Sequence, residues 1–388
     1  MANTLTAITP EIYEAMDIVA REQVGMIPAV NKNSNAERAA KGQTVTYPIV
    51  PAVTGEDITP GDTPADSGDQ TIGSGAMTIS KSRAFPVRWT GEEEQLLRTG
   101  DSAQLANVTR DRFAQAIRAA VNEIESDLAG LHIYASRAYG VAGTTPFAST
   151  DELDDASEVL RILEDNGAPM SDNKLVLGSA ATAKLRGYQG IMFKDNEGGA
   201  SNQRSRGQLG ELFQLGIHQS GQINSFTKGT GASATTDNAG YAVGATEITL
   251  ASAGTGTILA GDVITFAGDA NQYVVLSGDA DVSGGGTITL AEPGLQVAIA
   301  ASTTAITLAG NSVRNLAFHK GAIQLVTRKP AMPTGGDDAA DVMEIIDPVS
   351  GLVFEVAHYR QYRRVKTEVA ISWGVEASKP EFIAALLG

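Results

Sequence analysis

Four histidines, His132, His218, His319 and His358, are the residues of this chain best suited to general acid–base or metal chemistry. No two of them lie three or four positions apart, so one helix face cannot present two of them to a metal. The chain has no cysteine, which removes disulfides, a thiolate nucleophile and every Cys-built metal site. It contains no Gly-x-Ser-x-Gly elbow, no phosphate-binding P-loop and no His-Glu-x-x-His. The glycine clusters at 229–233, 254–259 and 283–288 lack the register of a dinucleotide fingerprint and read as turns. Asp279 and Asp281, in SGDADVSGGG, could hold a calcium ion, but a lone Asp-x-Asp in a turn is a weak signal. An aromatic content of 5% argues against a sugar-binding cleft for any carboxylate pair. The sequence offers no catalytic set, and neither an enzyme nor a cofactor nor a metal site is expected.

Charge is distributed unevenly. From Gly42 to Ser80 there is no Lys or Arg, while Glu56, Asp57, Asp62, Asp66 and Asp69 are all acidic. Arg360, Arg363, Arg364 and Lys366 form the densest basic cluster. Each group reads either as a solvated surface or as half of a contact between two copies of the chain, acidic segment on basic cluster. The net charge of −16 speaks against binding nucleic acid by broad phosphate neutralisation. It favours a soluble chain that repels negative polymers.

The element that must position these groups is the stretch from Asp101 to Arg137. Phe113, Ile117, Val121, Ile124, Leu128 and Leu131 recur at steps of three and four, which predicts one long amphipathic helix. Asp101 or Ser102 can cap its start. Gly130 costs roughly 1 kcal/mol against alanine and marks a place to end or bend. Run to its full length, such a helix measures about 50 Å and would overhang any single core.

Around it, residues 1–42 read as an arm. Ile12, Met16 and Val19 form an apolar strip that packs either on its own domain or on a neighbouring subunit, and the NKNSNAERAAKGQ that follows reads as polar and exposed. Residues 43–91 read as a long hairpin, TVTYPIV (44–50) returning through AMTISKSRAFPVRW (76–89). The Gly-, Pro- and Asp-rich span between them cannot build a core. The passage 136–149 reads as a linker, 151–167 as a helix and 173–187 as a strand entering a helix capped by Ser179. Residues 191–211 read as a polar loop and 211–223 as a strand. From Gly229 to Val313 there is no Lys or Arg, and short alternating runs such as TEITLAS, DVITFAG and QYVVLSG predict a separate small β domain. The last stretch, 350–387, is β-rich. No signal peptide and no membrane span is expected.

Three passages then carry a family likeness: NLAFHKGAIQLVTRKP (315–330), KLVLGSAATAKLRG (174–187) and ISWGVEASKPEFIAAL (371–386), the last most specific at Trp373-Gly374-Val375 and Lys379-Pro380-Glu381. With the chain order of arm, hairpin, long helix and mixed lobe, they resemble the major capsid proteins of tailed bacteriophages, which have the Hong Kong 97-like fold. The β insert resembles that of coat proteins of short-tailed Salmonella phages. The resemblance implies an α+β fold with an N-terminal arm (1–42), an extended hairpin (43–91), a peripheral domain with a spine helix (92–150), an axial domain (151–227 and 314–388) and an inserted β-barrel domain (228–313). It implies a non-enzymatic virion protein that assembles in the host bacterial cytoplasm as pentamers and hexamers. The expected product is an icosahedral head enclosing double-stranded DNA without sequence-specific binding. The implied partners are further copies of the chain, a scaffolding protein, a portal protein and, optionally, a decoration protein; no membrane is involved. The acidic residues Glu56 to Asp69 and the basic Arg360, Arg363 and Arg364 become candidate subunit-interface residues. The polar side of the helix, with Arg110, Arg118 and Glu125, is expected to face a neighbour or the shell interior. An encapsulin-type nanocompartment and a β-rich surface-layer or adhesin protein are the alternatives.

Overall fold

The computed structural model describes residues 9–22, 25–49, 72–98, 102–148, 154–192, 210–347 and 351–388. The fold is mixed α+β, with two large sheets, a small hairpin and few helices.

Helix α4 (Ser102–Ala129) is the longest element among the described residues, 28 residues or about 42 Å. All six residues of the predicted stripe are buried. The α-helix ends at Ala129 and the chain continues as a 3-10 turn, Gly130–Tyr134, so Gly130 marks the change of pitch. The expectation that the helix reaches Arg137 is corrected: Arg137–Tyr139 is strand β5, parallel to the closing strand of the chain. The tighter turn delivers the backbone to that sheet, and the linker reading of 136–149 fails at its first residues for this reason.

Helix α1 (Thr9–Glu22) lies on α4 of its own chain and buries Ile12, Met16 and Val19 there. Each such side chain contributes roughly 1.5–3 kcal/mol when fully removed from water. A short helix α2 (Met26–Ala29) follows. The segment read as polar and exposed is largely so, and it forms strand β1 (Asn31–Ala39), parallel to β16 (Ile323–Pro330). Its side chains are largely outside the core, so no hydrophobic alternation announces it; backbone pairing makes it a strand.

The predicted hairpin is present at its base. Strands β2 (Thr44–Ile49) and β3 (Gly73–Thr78) pair with each other and form a sheet of their own. Residues 50–71, with all five acidic candidates, lie outside the described residues. The return strand breaks at Ile79–Ser80, and its second half, β4 (Lys81–Thr90), joins another sheet.

That sheet has six strands. Its path is β1–β16–β19–β18–β17, with β17 at Asp341–Ile346, β18 at Val353–Gln361 and β19 at Arg364–Ala377, and β4 pairs with β19. Its inner face packs on α4. Helix α3 (Gly91–Arg98), unforeseen in the sequence reading, follows β4 and opens with a capping box. Glu93 N–H donates to Thr90 Oγ1 at 3.2 Å and Thr90 N–H to Glu93 Oε2 at 3.0 Å.

The second sheet has twelve strands and is centred on β15 (Ser312–His319), flanked by β20 (Ile383–Leu387) and β6 (Asn173–Leu177). Beyond β6 lie β8 (Leu215–Gln219) and β7 (Glu211–Leu212), and β9 (Ser225–Phe226) pairs with the start of β15. Helix α5 (Asp154–Asp165) covers this sheet with Val159, Ile162 and Leu163, and α6 (Ser179–Met192) with Ala181 and Leu185. Most of the loop expected at 191–211 lies outside the described residues.

Residues 228–313 supply β10 (Glu247–Leu250), β11 (Val263–Phe266), β12 (Gln272–Ser277), β13 (Gly286–Leu290) and β14 (Ile306–Leu308). They enclose a core of their own around Ile248, Ile264, Tyr273, Val275 and Ile288. They are also hydrogen-bonded into the large sheet: β12 pairs antiparallel with β5, and Arg137 donates to Asn271 Oδ1 at 3.1 Å and to Asp165 Oδ2 at 3.0 Å.

Candidate functional site

The four histidines fall on separate elements. His132, in the turn after α4, aims Nδ1–H at the Ala129 carbonyl (3.2 Å) and sets its ring edge-on to Phe226 at 5.3 Å. His319 accepts from Gly321 N–H at 3.2 Å, His358 on β18 bonds Thr367 Oγ1 on β19 at 3.0 Å, and His218 lies on β8. Among the described residues no group of three or more His, Cys, Asp or Glu could share a metal ion. Asp279 and Asp281 are engaged locally: Asp279 Oδ1 accepts from Asp281 N–H at 2.7 Å, and Asp281 Oδ1 accepts from Ser283 N–H and Oγ–H. No helix among the described residues is long and apolar enough to cross a membrane.

Burial, reinforced by the nearby Arg314 charge, lowers the His132 pKa from 6.5 to about 4. Between those values the unfolded chain holds a proton that the folded chain lacks, so stability rises with pH across that window. The difference corresponds to about 3 kcal/mol, fully present above pH 6.5 and lost as pH falls to about 4. Urea midpoints measured against pH should therefore fall across this interval, and a His132→Leu variant should show a shallower acid slope.

Several charged residues of α4 are paired within the subunit. Glu123 and Asp127 face the six-stranded sheet: Lys81 Nζ lies 3.2 Å from Glu123 and 2.8 Å from Asp127, Arg83 Nε 3.0 Å from Glu123, and the buried Trp373 indole donates to Asp127 Oδ2 at 2.9 Å. Arg110 pairs with Glu14 on α1. Glu125, expected to face outward, is buried at 5% exposure and accepts from the backbone of α2 and from Ser220. Glu125 is thereby corrected from an outward-facing to a buried residue, while Asp111, Gln115, Asn122 and Ser126 keep an exposed polar face on α4.

The exposed charge sits elsewhere. The turn joining β18 to β19 carries Arg360, Arg363 and Arg364, all exposed, with Tyr362 87% exposed at its tip. Arg363 adopts a φ of +54°, a left-handed conformation that non-glycine residues rarely take, and its guanidinium lies 5.6 Å from the Tyr362 ring centre. Its carbonyl accepts from Gly91 N–H at 3.0 Å, which anchors the turn to the start of α3. The β4–β19 register sets Arg88 directly opposite Lys366, adding a cation that the sequence reading missed. Like charges held side by side on a sheet repel, which favours an approaching anion. Lys366 is partly offset by its ion pair with Glu368. Among the described residues no carboxylate forms an ion pair with Arg360, Arg363 or Arg364. The structure thus gathers the basic candidates at one exposed turn, while their acidic counterparts lie outside the described residues.

No protein-family model matches the chain, and no curated protein matches it in sequence. In structure it is similar to the capsid of cyanophage P-SCSP1u, with 12% identity, 94% of this chain and 88% of that chain covered, and a TM-score of 0.49. It is similar to a structure from Mycobacterium phage Che8, with 13% identity, coverage of 93% and 90%, and a TM-score of 0.45. It is also similar to the virus-like particle from Pyrococcus furiosus, with 11% identity, coverage of 97% and 98%, and a TM-score of 0.43.

Proposed function

We propose that this chain is the major capsid protein of a tailed bacteriophage, with the Hong Kong 97-like fold. In this reading α4 is the spine helix, β2 and β3 are the base of the extended hairpin, the twelve-stranded sheet with α5 and α6 belongs to the axial domain, and 228–313 is its insert. Pentamers and hexamers close into an icosahedral head that encloses double-stranded DNA. A scaffolding protein and a portal act during assembly, and a decoration protein is an optional later partner.

One observation carries the reading. A two-stranded ribbon, outside both large sheets, leads into an acidic segment without any Lys or Arg, and an exposed Arg-rich turn has no carboxylate ion-pair partner among the described residues; we read the two as complementary halves of a contact between copies. The net charge of −16 suits a container, because an inner wall that bound DNA tightly would obstruct filling and release.

Purified full-length chain, examined by electron microscopy with and without co-expressed scaffolding protein, should form closed icosahedral shells. Small shells filled with protein cargo would favour a nanocompartment instead. A dispersed monomer under both conditions would overturn the proposal.

A further inference from the structure

Glu125 is a carboxylate taken almost wholly out of water, and its three contacts are neutral donors. Oε2 accepts from Met26 N–H at 2.8 Å and from Ser220 Oγ–H at 2.7 Å, and Oε1 accepts from Ile27 N–H at 2.7 Å. These donors lie 99, 95 and 98 residues away in sequence. One side chain on α4 therefore ties down the N-terminal segment and the turn after β8 together. Charge-assisted bonds of this kind are about twice as strong as neutral ones. The approach is close: a Cβ on Gly25 would fall 2.3 Å from Glu125 Oε2 and 3.0 Å from Ser220 Cβ, so only glycine fits there.

We propose that Glu125 is a latch: its carboxylate holds the N-terminal segment, through α2, docked along α4, and losing that grip releases the segment while the two large sheets stay intact. Three observations support this. Helix α2 has four residues and α1 fourteen, lengths that do not hold a helix in water without a partner surface. The buried contacts of α1 with α4, through Ile12, Met16 and Val19, are apolar, and apolar contacts fix no unique position. Beside the carboxylate lies a cavity of about 230 Å³, lined by Gly25, Arg118, Asn122, Gln219 and Ser220 among others. Val19 and Val121 line it as well, but a released Glu125 would also find the Arg118 guanidinium and the Asn122 and Gln219 amides there, which lowers the cost of opening. The proposal does not depend on the chain building shells.

The test is amide hydrogen exchange on the full-length chain, comparing Glu125→Gln with Ser220→Ala. The glutamine keeps the shape but presents N–H donors to N–H donors. Exchange at Met26 and Ile27 should accelerate about tenfold or more, with added protease cleavage before residue 30, while Val176 and Leu316 in the large sheet keep their protection. Ser220→Ala leaves both backbone bonds in place and should change exchange at these positions less than about threefold. Unchanged exchange at Met26 and Ile27 in folded Glu125→Gln would overturn the latch. So would equal acceleration at Val176 and Leu316, which would make Glu125 an ordinary core residue. If the glutamine variant does not fold, Glu125→Asp, whose shorter carboxylate reaches fewer donors, is read by the same two criteria.

Discussion

Reversing Arg363 and Arg364 to glutamate together is expected to stop shells from closing while leaving the subunit folded. Both side chains are exposed, and surface changes away from buried contacts usually shift stability by no more than about 0.5 kcal/mol. The turn itself is held through backbone, by Gly91 N–H on the Arg363 carbonyl and by the β18–β19 ladder, none of which needs the guanidinium groups. What changes is the field at the tip, from cationic to anionic, which under the proposed contact would repel the acidic segment of a second copy. A single charge pair in water is worth little, but an icosahedral shell repeats each contact many times, and a small loss per contact becomes a large loss of assembly. The effect should be greatest at low ionic strength, because screening shortens the reach of surface charge to about 10 Å at 0.1 M salt. Arg363→Asn is the matched control, since asparagine tolerates the +54° φ and removes charge without reversing it. Shell yield by sedimentation and microscopy, with unfolding midpoints alongside, gives the answer. Normal shells from the double reversal at low salt would rule out the basic turn as an assembly contact. Recovery of shells on adding Asp62→Arg and Asp66→Arg would identify its partner.

Trp373→Ala should lower the stability of the subunit by about 3–5 kcal/mol, the usual range for deleting a fully buried large aromatic. The ring is 0% exposed and sits where three strands meet: β19 carries it, and the registers place Lys81 of β4 and Thr327 of β16 beside it. Its indole N–H donates to Asp127 on α4, and the Lys81 ammonium lies 5.8 Å above the ring. Removing it opens a cavity under the long helix and takes a donor from a carboxylate that must then rely on Lys81 alone. Against a typical total stability of about 5–15 kcal/mol, that is a loss many domains do not survive at 37 °C. Trp373→Phe should keep most of the packing and cost about 1–2 kcal/mol for the lost hydrogen bond. Urea titrations of the three proteins separate cavity from bond. A loss below about 1 kcal/mol for the alanine variant would mean that the helix is not seated on this ring.

Much of the framework was legible in the residues. The stripe of α4, the turn of pitch at Gly130, the helix α5, the strand entering α6 and the run of short strands after residue 228 each follow from a local period or a turn residue. Strand β1 and helix α3 were missed for different reasons. Strand β1 has no apolar face, and its partner β16 lies nearly three hundred residues away. Helix α3 did carry a signal, the Thr90–Glu93 capping box, which went unread. Glu125 carried one too: it stands four residues after Val121 and three before Leu128, so it lies on the apolar stripe, and only its charge suggested that it faced outward.

The sequence by itself determined the long amphipathic helix, the poverty of catalytic groups, and the separation of acidic and basic segments, because these depend on residue type and spacing along the chain. Tertiary structure alone decided which charges remain available. Arg110, Glu123, Glu125 and Asp127 all look like surface charges in the sequence, yet each is taken up inside the subunit by a group far away in the chain, while Arg360, Arg363 and Arg364 are carried out to an exposed turn. The physical reason is that a charge is satisfied by whatever the fold brings within about 3 Å of it, and strand register and helix docking, set by backbone pairing and apolar burial over the whole chain, choose that partner.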